Sequence, residues 1–347
     1  MSETQFPQKG RVLQPLRKER LTSAHIARWC AAQQNWDKIH YDLAYATEVA
    51  KLPGTIINGA LKQHLIAQFL DQAFEGKAWP WRLDYRFSAM DLVGEELEVR
   101  GVITDVQRHR GRLFVTVEAS IWNINQGKTT TEGTAIVVLD PEGAARPPVQ
   151  LEVETPPDLR LDKTVKADDK TAPESVRKRL AARLELVESD YAIDLSRLRL
   201  FADAVGGLRP VHFDPHSAEA KDAGGVLAPP LFPLHALEAL PGRRALSLDR
   251  KAIGREGVNE IGRDMRRLFG FEIAWNGGNR VEIRSLARAG ERVAGESVLV
   301  GAFARTGKRG GRMLFFETLN RYSVVGGREL LTERQTMVCQ MREGSAG

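Results

Sequence analysis

Apolar residues recur at helical spacing in two stretches near the start of the chain. The first runs from Thr22 to Gln34, with Thr22 or Ser23 as the N-cap. The second runs from Gly59 to Phe74, where Leu61, Leu65, Ile66, Phe69 and Leu70 keep the 3.6-residue period. The period then changes to two. LDYRFSA, EELEVRGVITDVQ, GRLFVTVEASIWN and TEGTAIVVL alternate apolar and polar positions, and turns at Gly94, Gly111 and Gly127 divide them. A helix followed by such a meander predicts an α+β unit. The sheet has one apolar face, and the long helix is the element that covers it.

The pattern occurs twice. IHYDLAYA, with His40, Asp42 and Ala46, returns as VHFDPHSA, with His212, Asp214 and Ala218, at an offset of 172 residues. Gly111-Arg112-Leu113-Phe114-Val115 returns as Gly311-Arg312-Met313-Leu314-Phe315 at an offset of 200. Conserved order with a growing offset predicts two copies of one unit, the second carrying 28 more residues, which we place in PGRRALSLDRKAIGREGVNEIGRDMRRL. The Pro-rich, charged stretch between the copies sets a boundary near Pro148 to Leu161. The expected organisation is a first domain over 1–147, a linker over 148–174 and a second domain over 175–347.

Composition agrees with this and excludes several classes. The chain has 347 residues and is 42% hydrophobic, which is enough apolar surface to order both copies. Its net charge of +5 comes from 50 basic against 45 acidic residues that are interleaved, so nucleic acid is not an expected partner. Cys30 and Cys339 have neither disulfide-framework nor zinc spacing, which fits a reducing, cytoplasmic setting. The N-terminus lacks an apolar signal core, and no apolar run approaches the ~18 residues of a membrane span, so no membrane insertion is expected.

Candidate chemistry concentrates in the loop before the second helix: Gln33, Gln34, Asn35, Asp37, His40, Tyr41 and Asp42. Asn and Asp also serve turns through local hydrogen bonds, so each residue has a purely structural use. As a group, Asn35-Trp36-Asp37-Lys38-Ile39-His40-Tyr41-Asp42 followed by Tyr45-Ala46 resembles the hydratase 2 motif of the MaoC-like hot dog family. Ile57-Asn58-Gly59-Ala60-Leu61 is similar to that family's helix-opening glycine segment. The second copy, with FADAVGGLRPVHFDPHSAEAKDAGGVLAPPLFP and GKRGGRMLFFET, resembles the companion hot dog of FAS1-like dehydratases.

The resemblance implies an α+β double hot dog, two tandem folds each with an antiparallel sheet wrapped around a long central helix. It also implies hydration of trans-2-enoyl-CoA or dehydration of (R)-3-hydroxyacyl thioesters, with no cofactor and no metal. His40 would be the acid/base, Asn35 and Asp37 would position water and ring, and Gly59 would offer its backbone N–H to the thioester oxygen. Tyr41, Asp42, Pro229 and Phe232 are the expected substrate contacts. The family commonly has Asp five residues before the His and Asn three before it; Asn35 and Asp37 exchange those types. Gly207 and Arg209 hold these places in the second copy, which reads as noncatalytic. The expected partner is an acyl-CoA or acyl carrier protein thioester, and the expected assembly is a homodimer of double hot dogs or a pseudo-dimeric monomer. Arg82, Arg86, Arg108 and Arg112 are candidates for the phosphates of coenzyme A. Two alternatives stand beside the hydratase: a silent acyl-CoA-binding or accessory protein, and an acyl-CoA thioesterase.

Overall fold

Helix α1 (Ser23–Gln33) starts where Thr22 turns extended and its backbone N–H donates to His25 Nδ1 at 3.2 Å. It stops at Gln34, whose left-handed φ of 60° ends the helical run. Helix α2 (Gly59–Ala73) buries the predicted face, Leu61, Leu65, Ile66, Phe69 and Leu70. It also buries Lys62, Gln63, His64 and Gln68 on its other sides. A helix buried all round is a core element and not a surface one. The computed structural model describes residues 7–140, 156, 159, 171–180, 186–237, 274–306 and 312–340.

Around α2 curve β1 (Leu16–Lys18), β2 (Trp79–Phe87), β3 (Leu97–His109), β4 (Arg112–Asn123) and β5 (Lys128–Leu139). At Gly101 a Cβ would stand 2.7 Å from the Phe69 ring, so the missing side chain lets helix and sheet approach. After a short helix α3 (Glu174–Arg177), the second copy contributes β6 (Val187–Glu188), α4 (Leu195–Val205) and α5 (Ala218–Asp222). Its strands are β7 (Ala274–Ile283), β8 (Val293–Thr306), β9 (Arg312–Val324) and β10 (Glu329–Gln340). All ten strands form one antiparallel sheet in the order β1-β3-β4-β5-β2-β7-β10-β9-β8-β6. The copies join where β2 pairs with β7, Leu83 opposite Val281. Trp79 Nε1 donates to Ile283 O at 3.0 Å across that seam.

Equivalent residues of the two copies meet one another between them, as on a two-fold axis. The offset of 172 relates Trp29 to Phe201, and their rings lie 5.0 Å apart where α1 packs on α4. His64 and His235, at an offset of 171, also meet, Nε2 to Nε2, at 3.1 Å. This is a double hot dog arrangement. In the second copy the chain takes a 3-10 turn, Phe232–His235, before residues 238–273, so the central helix expected for this copy falls outside the described residues.

The extra 28 residues do not all fall where the sequence placed them. The bulge at Ile103/Asp105 is matched by one at Leu299/Gly301, an offset of 196, and the strands after the next turn begin at Arg112 and Arg312, an offset of 200. Four of the residues are therefore added between the bulge and β9: one extends β8, and the other three fall in 307–311, outside the described residues. Residues 241–268 and most of the 148–174 linker lie outside the described residues.

Candidate active site

The polar loop after α1 is held in shape by its own backbone. Asn35 Oδ1 accepts the Asp37 N–H at 3.0 Å, and Asp37 opens the one-turn helix Lys38–His40. The Asn35 side-chain carbonyl is thus committed to a turn, which leaves its Nδ2 as the group that can donate to a ligand. His40 is buried, and its Nδ1 lies 2.8 Å from Ile56 O. A carbonyl only accepts, so Nδ1 carries a proton and the lone pair of the neutral ring is on Nε2. Ile56 N–H in turn donates to Ile39 O at 3.1 Å. These two bonds fasten His40 to the strand-like segment that runs into α2 three residues later.

At that junction Asn58 is the N-cap but makes no capping hydrogen bond; its amide faces Cys30 Sγ at 3.9 Å. The first N–H groups of α2 therefore keep their donor capacity at the positive end of the helix dipole. Gly59 is close to the wall of the site: a Cβ there would be 3.1 Å from the Phe87 ring. Burial pushes the Cys30 thiol up to about 12, against the lowering effect of its Asn58 contact, which disfavours a thiolate there.

The second loop repeats the frame with different residues at the equivalent of the α2 start. His212 Nδ1 lies 2.9 Å from Leu227 O, and Ala228 N–H donates to Ala287 O as Ile57 N–H donates to Asp91 O. These bonds match Ile56 with Leu227 and Ile57 with Ala228, an offset of 171 in place of 172. Asn58 then corresponds to Pro229, Gly59 to Pro230 and Leu61 to Phe232. Proline has no N–H, so the donor supplied at Gly59 is missing from the second copy.

Two family models match the chain: hydroxyacyl-thioester dehydratase type 2 over residues 2–93, and the FAS1-like dehydratase domain region over residues 184–333. The first part of the chain thus resembles one dehydratase family and the second part another, each over less than half of the chain. Among solved structures, a MaoC domain protein from Chloroflexus aurantiacus J-10-fl matches with a TM-score of 0.65 at 12% identity, covering 97% of this chain and 96% of that one. A MaoC-like dehydratase matches with a TM-score of 0.59 at 14% identity over 96% and 99%. Rv0216 of Mycobacterium tuberculosis, described as a double hot dog fold, gives 0.58 at 14% over 96% and 97%. No curated protein matches in sequence. Both matched models describe dehydratases, which supports an enzyme of the lyase type.

In this double hot dog the expected substrate contacts take different places. Asp42 Oδ1 accepts the Tyr45 N–H at 2.9 Å, and Asp214 Oδ1 accepts the His216 N–H at 2.8 Å, so this Asp fixes the loop in both copies. Tyr41 donates its hydroxyl to Trp36 O at 2.8 Å on the outside of the loop. Phe232 is fully buried against Phe201, in the core position that Leu61 fills in the first copy, and does not line the cavity beside it. Pro229 does line that cavity. Of the candidate phosphate ligands, Arg82 is buried on Glu282 at 3.1 Å and on Leu159 O at 2.7 Å, while Arg112 lies 3.9 Å from Asp140.

The sequence reading missed a polar network behind Gly59. Lys62 Nζ meets Asp91 Oδ2 at 2.7 Å with both side chains almost fully buried. Asp91 also accepts from Thr130 at 3.0 Å and Asn123 at 2.8 Å. Asp91 O takes the Ile57 N–H at 2.8 Å, so the network secures the approach to α2. At the corresponding second-copy positions stand Pro233 and Ala287, which cannot form it.

Two consequences are measurable. Gly59→Ala pushes the Phe87 ring and the helix start apart, and kcat should fall roughly 10- to 100-fold at nearly unchanged melting temperature. An unchanged kcat would remove Gly59 from the site. The second concerns pH. Burial lowers His64 to about 3 and His212 to about 4, and holds His235 well below its ordinary value. Between about pH 6.5 and 4 the unfolded chain binds protons that the folded chain refuses, so stability is full above pH 6.5 and falls as pH drops through this window. Denaturant midpoints measured at pH 7.5 and 4.5 should differ in that direction, and His64→Gln should flatten the difference.

Among the described residues, no three His, Cys, Asp or Glu side chains gather to hold a metal ion. No helix of the described residues is long and apolar enough to cross a membrane.

Proposed function

We propose that the protein hydrates trans-2-enoyl-CoA, or in reverse dehydrates (R)-3-hydroxyacyl thioesters, at the loop and helix start of its first copy. The observation that carries this reading is the asymmetry at matched positions. Both copies fix a histidine through Nδ1, but the first carries Asn35 and Asp37 on the same loop and ties that histidine to the segment leading into a helix start with N–H donors, where the second has Gly207, Arg209 and Pro230. In hydration, His40 Nε2 takes a proton from water as its oxygen bonds to C3, and the C2–C3 π electrons move toward the thioester carbonyl. The enolate oxygen is met by the Gly59 N–H and the helix dipole. The protonated His40 Nε2 then gives that proton to C2, which returns the ring to its neutral form and completes addition of one water. Asn35 Nδ2 holds the water oxygen, and Asp37, buried at the turn that presents His40, orients the loop.

The test follows enoyl absorbance and free thiol together, with crotonyl-CoA and a longer trans-2-enoyl-CoA. Loss of absorbance without thiol supports hydration. Thiol release would make the protein a thioesterase, and binding without either change would make it a silent acyl-CoA-binding protein.

A further inference from the structure

The cavity beside His212 has no part in the reaction above. It encloses about 290 Å³ between the C-terminal half of α2, the start of β2 and the second-copy loop. That is near the lower end of the ~300–1,000 Å³ of small-molecule sites. It is about twice the ~150 Å³ apolar cavity that holds one benzene. Leu70, Trp79, Leu227, Pro230 and Leu286 make its walls apolar.

Two acceptors face this apolar space. His212 spends Nδ1 on Leu227 O, and burial keeps its ring neutral at pH 7, so Nε2 presents a lone pair. Gln68 donates Nε2 to Gly206 O at 2.6 Å, which leaves its buried Oε1 without a hydrogen-bond partner. A buried acceptor with no donor is a site that a ligand donor can satisfy. One wall is anionic: Arg209 is shared between Asp71 at 3.0 Å and Glu219 at 3.1 Å, one guanidinium against two carboxylates. The guanidinium is already committed, so it is a poor receptor for a phosphate or carboxylate ligand.

We propose that this cavity is a second small-molecule site, separate from the thioester site, which takes an apolar molecule bearing a hydrogen-bond-donor head, a hydroxyl or a primary ammonium. The tail fills the space between Trp79 and Leu286, and the head donates to Gln68 Oε1 or His212 Nε2. A carboxylate head of equal length offers no donor and meets the anionic wall. A thioester carbonyl offers none either.

The experiment titrates the full chain calorimetrically with 1-octanol, octylamine and octanoate. One octanol and one octylamine should bind in mutual competition, with octanoate weaker by at least about tenfold. Ala67→Phe, which fills the cavity, and Gln68→Met, which removes the acceptor, should each weaken octanol by about tenfold or more. Saturating octanol should leave turnover of crotonyl-CoA and of trans-2-decenoyl-CoA unchanged. Absent binding, or octanoate binding as well as octanol, would overturn the proposal. So would competition between octanol and decenoyl-CoA, since the cavity would then be the end of the acyl channel. The calorimetric readout stands whether or not the protein proves to be a hydratase.

Discussion

His40→Ala should lower hydration of crotonyl-CoA by about 10²–10⁴-fold, the range for removing a positioned acid/base. The fall should be in kcat, because the ring acts on water and not on the thioester carrier. Folding should be little affected: the ring fills a small buried space and makes its orienting bond to Ile56 O, while Ile56 N–H keeps its separate bond to Ile39 O. Circular dichroism and the melting temperature monitor that. Asn35→Ala should cost less, since it removes one donor to the water and loosens the turn that its Oδ1 forms with the Asp37 N–H. Wild-type turnover in His40→Ala would remove His40 from the reaction.

Asp91→Ala should be the most damaging single change to stability, by about 3–5 kcal/mol, the usual cost of breaking a buried ion pair. It leaves the Lys62 ammonium buried without its counter-ion and takes the acceptor from Asn123 and Thr130. Burial already pulls Lys62 below its ordinary value, with Asp91 the opposing influence. The paired change Lys62→Met with Asp91→Leu should recover most of the loss, because no charge is then left unpaired. Denaturant unfolding of Lys62→Met, Asp91→Leu and the double variant measures the coupling, alongside Asp91→Ala. A loss under about 1 kcal/mol in Asp91→Ala would show that the network is solvated in solution.

Much of the frame was legible in the sequence because its signals are local. The periods of 3.6 and 2 predicted helices within a residue or two of α1 and α2, and glycines marked the turns of the first sheet. The repeated HYD/HFD element located both histidine loops. The interior of α2 was not legible. Lys62, His64 and Gln68 lie among its apolar positions, where polarity ordinarily points to solvent, yet their partners Asp91, His235 and Gly206 are 29, 171 and 138 residues away. Nothing local reveals such a contact.

The clearest difference between the two halves was also hidden, by a single residue. His40 and Ile56 are separated by 16 positions, whereas His212 and Leu227 are separated by 15. A constant offset of 172 therefore passes over the match of Gly59 with Pro230. Only the hydrogen bonds restore that register, and with it the physical reason that one copy has a helix N–H to offer and the other does not. The same register explains Phe232, which looks like a pocket residue in the PPLFP run but occupies the core place of Leu61.

The central claim is that one half of a duplicated fold carries the reaction. Its most direct measurement compares initial rates of crotonyl-CoA hydration for His40→Ala and His212→Ala at equal protein concentration, both verified as folded. Activity lost in the first variant and kept in the second is the predicted result. Activity kept in His40→Ala and lost in His212→Ala would contradict it and move the reaction to the second copy.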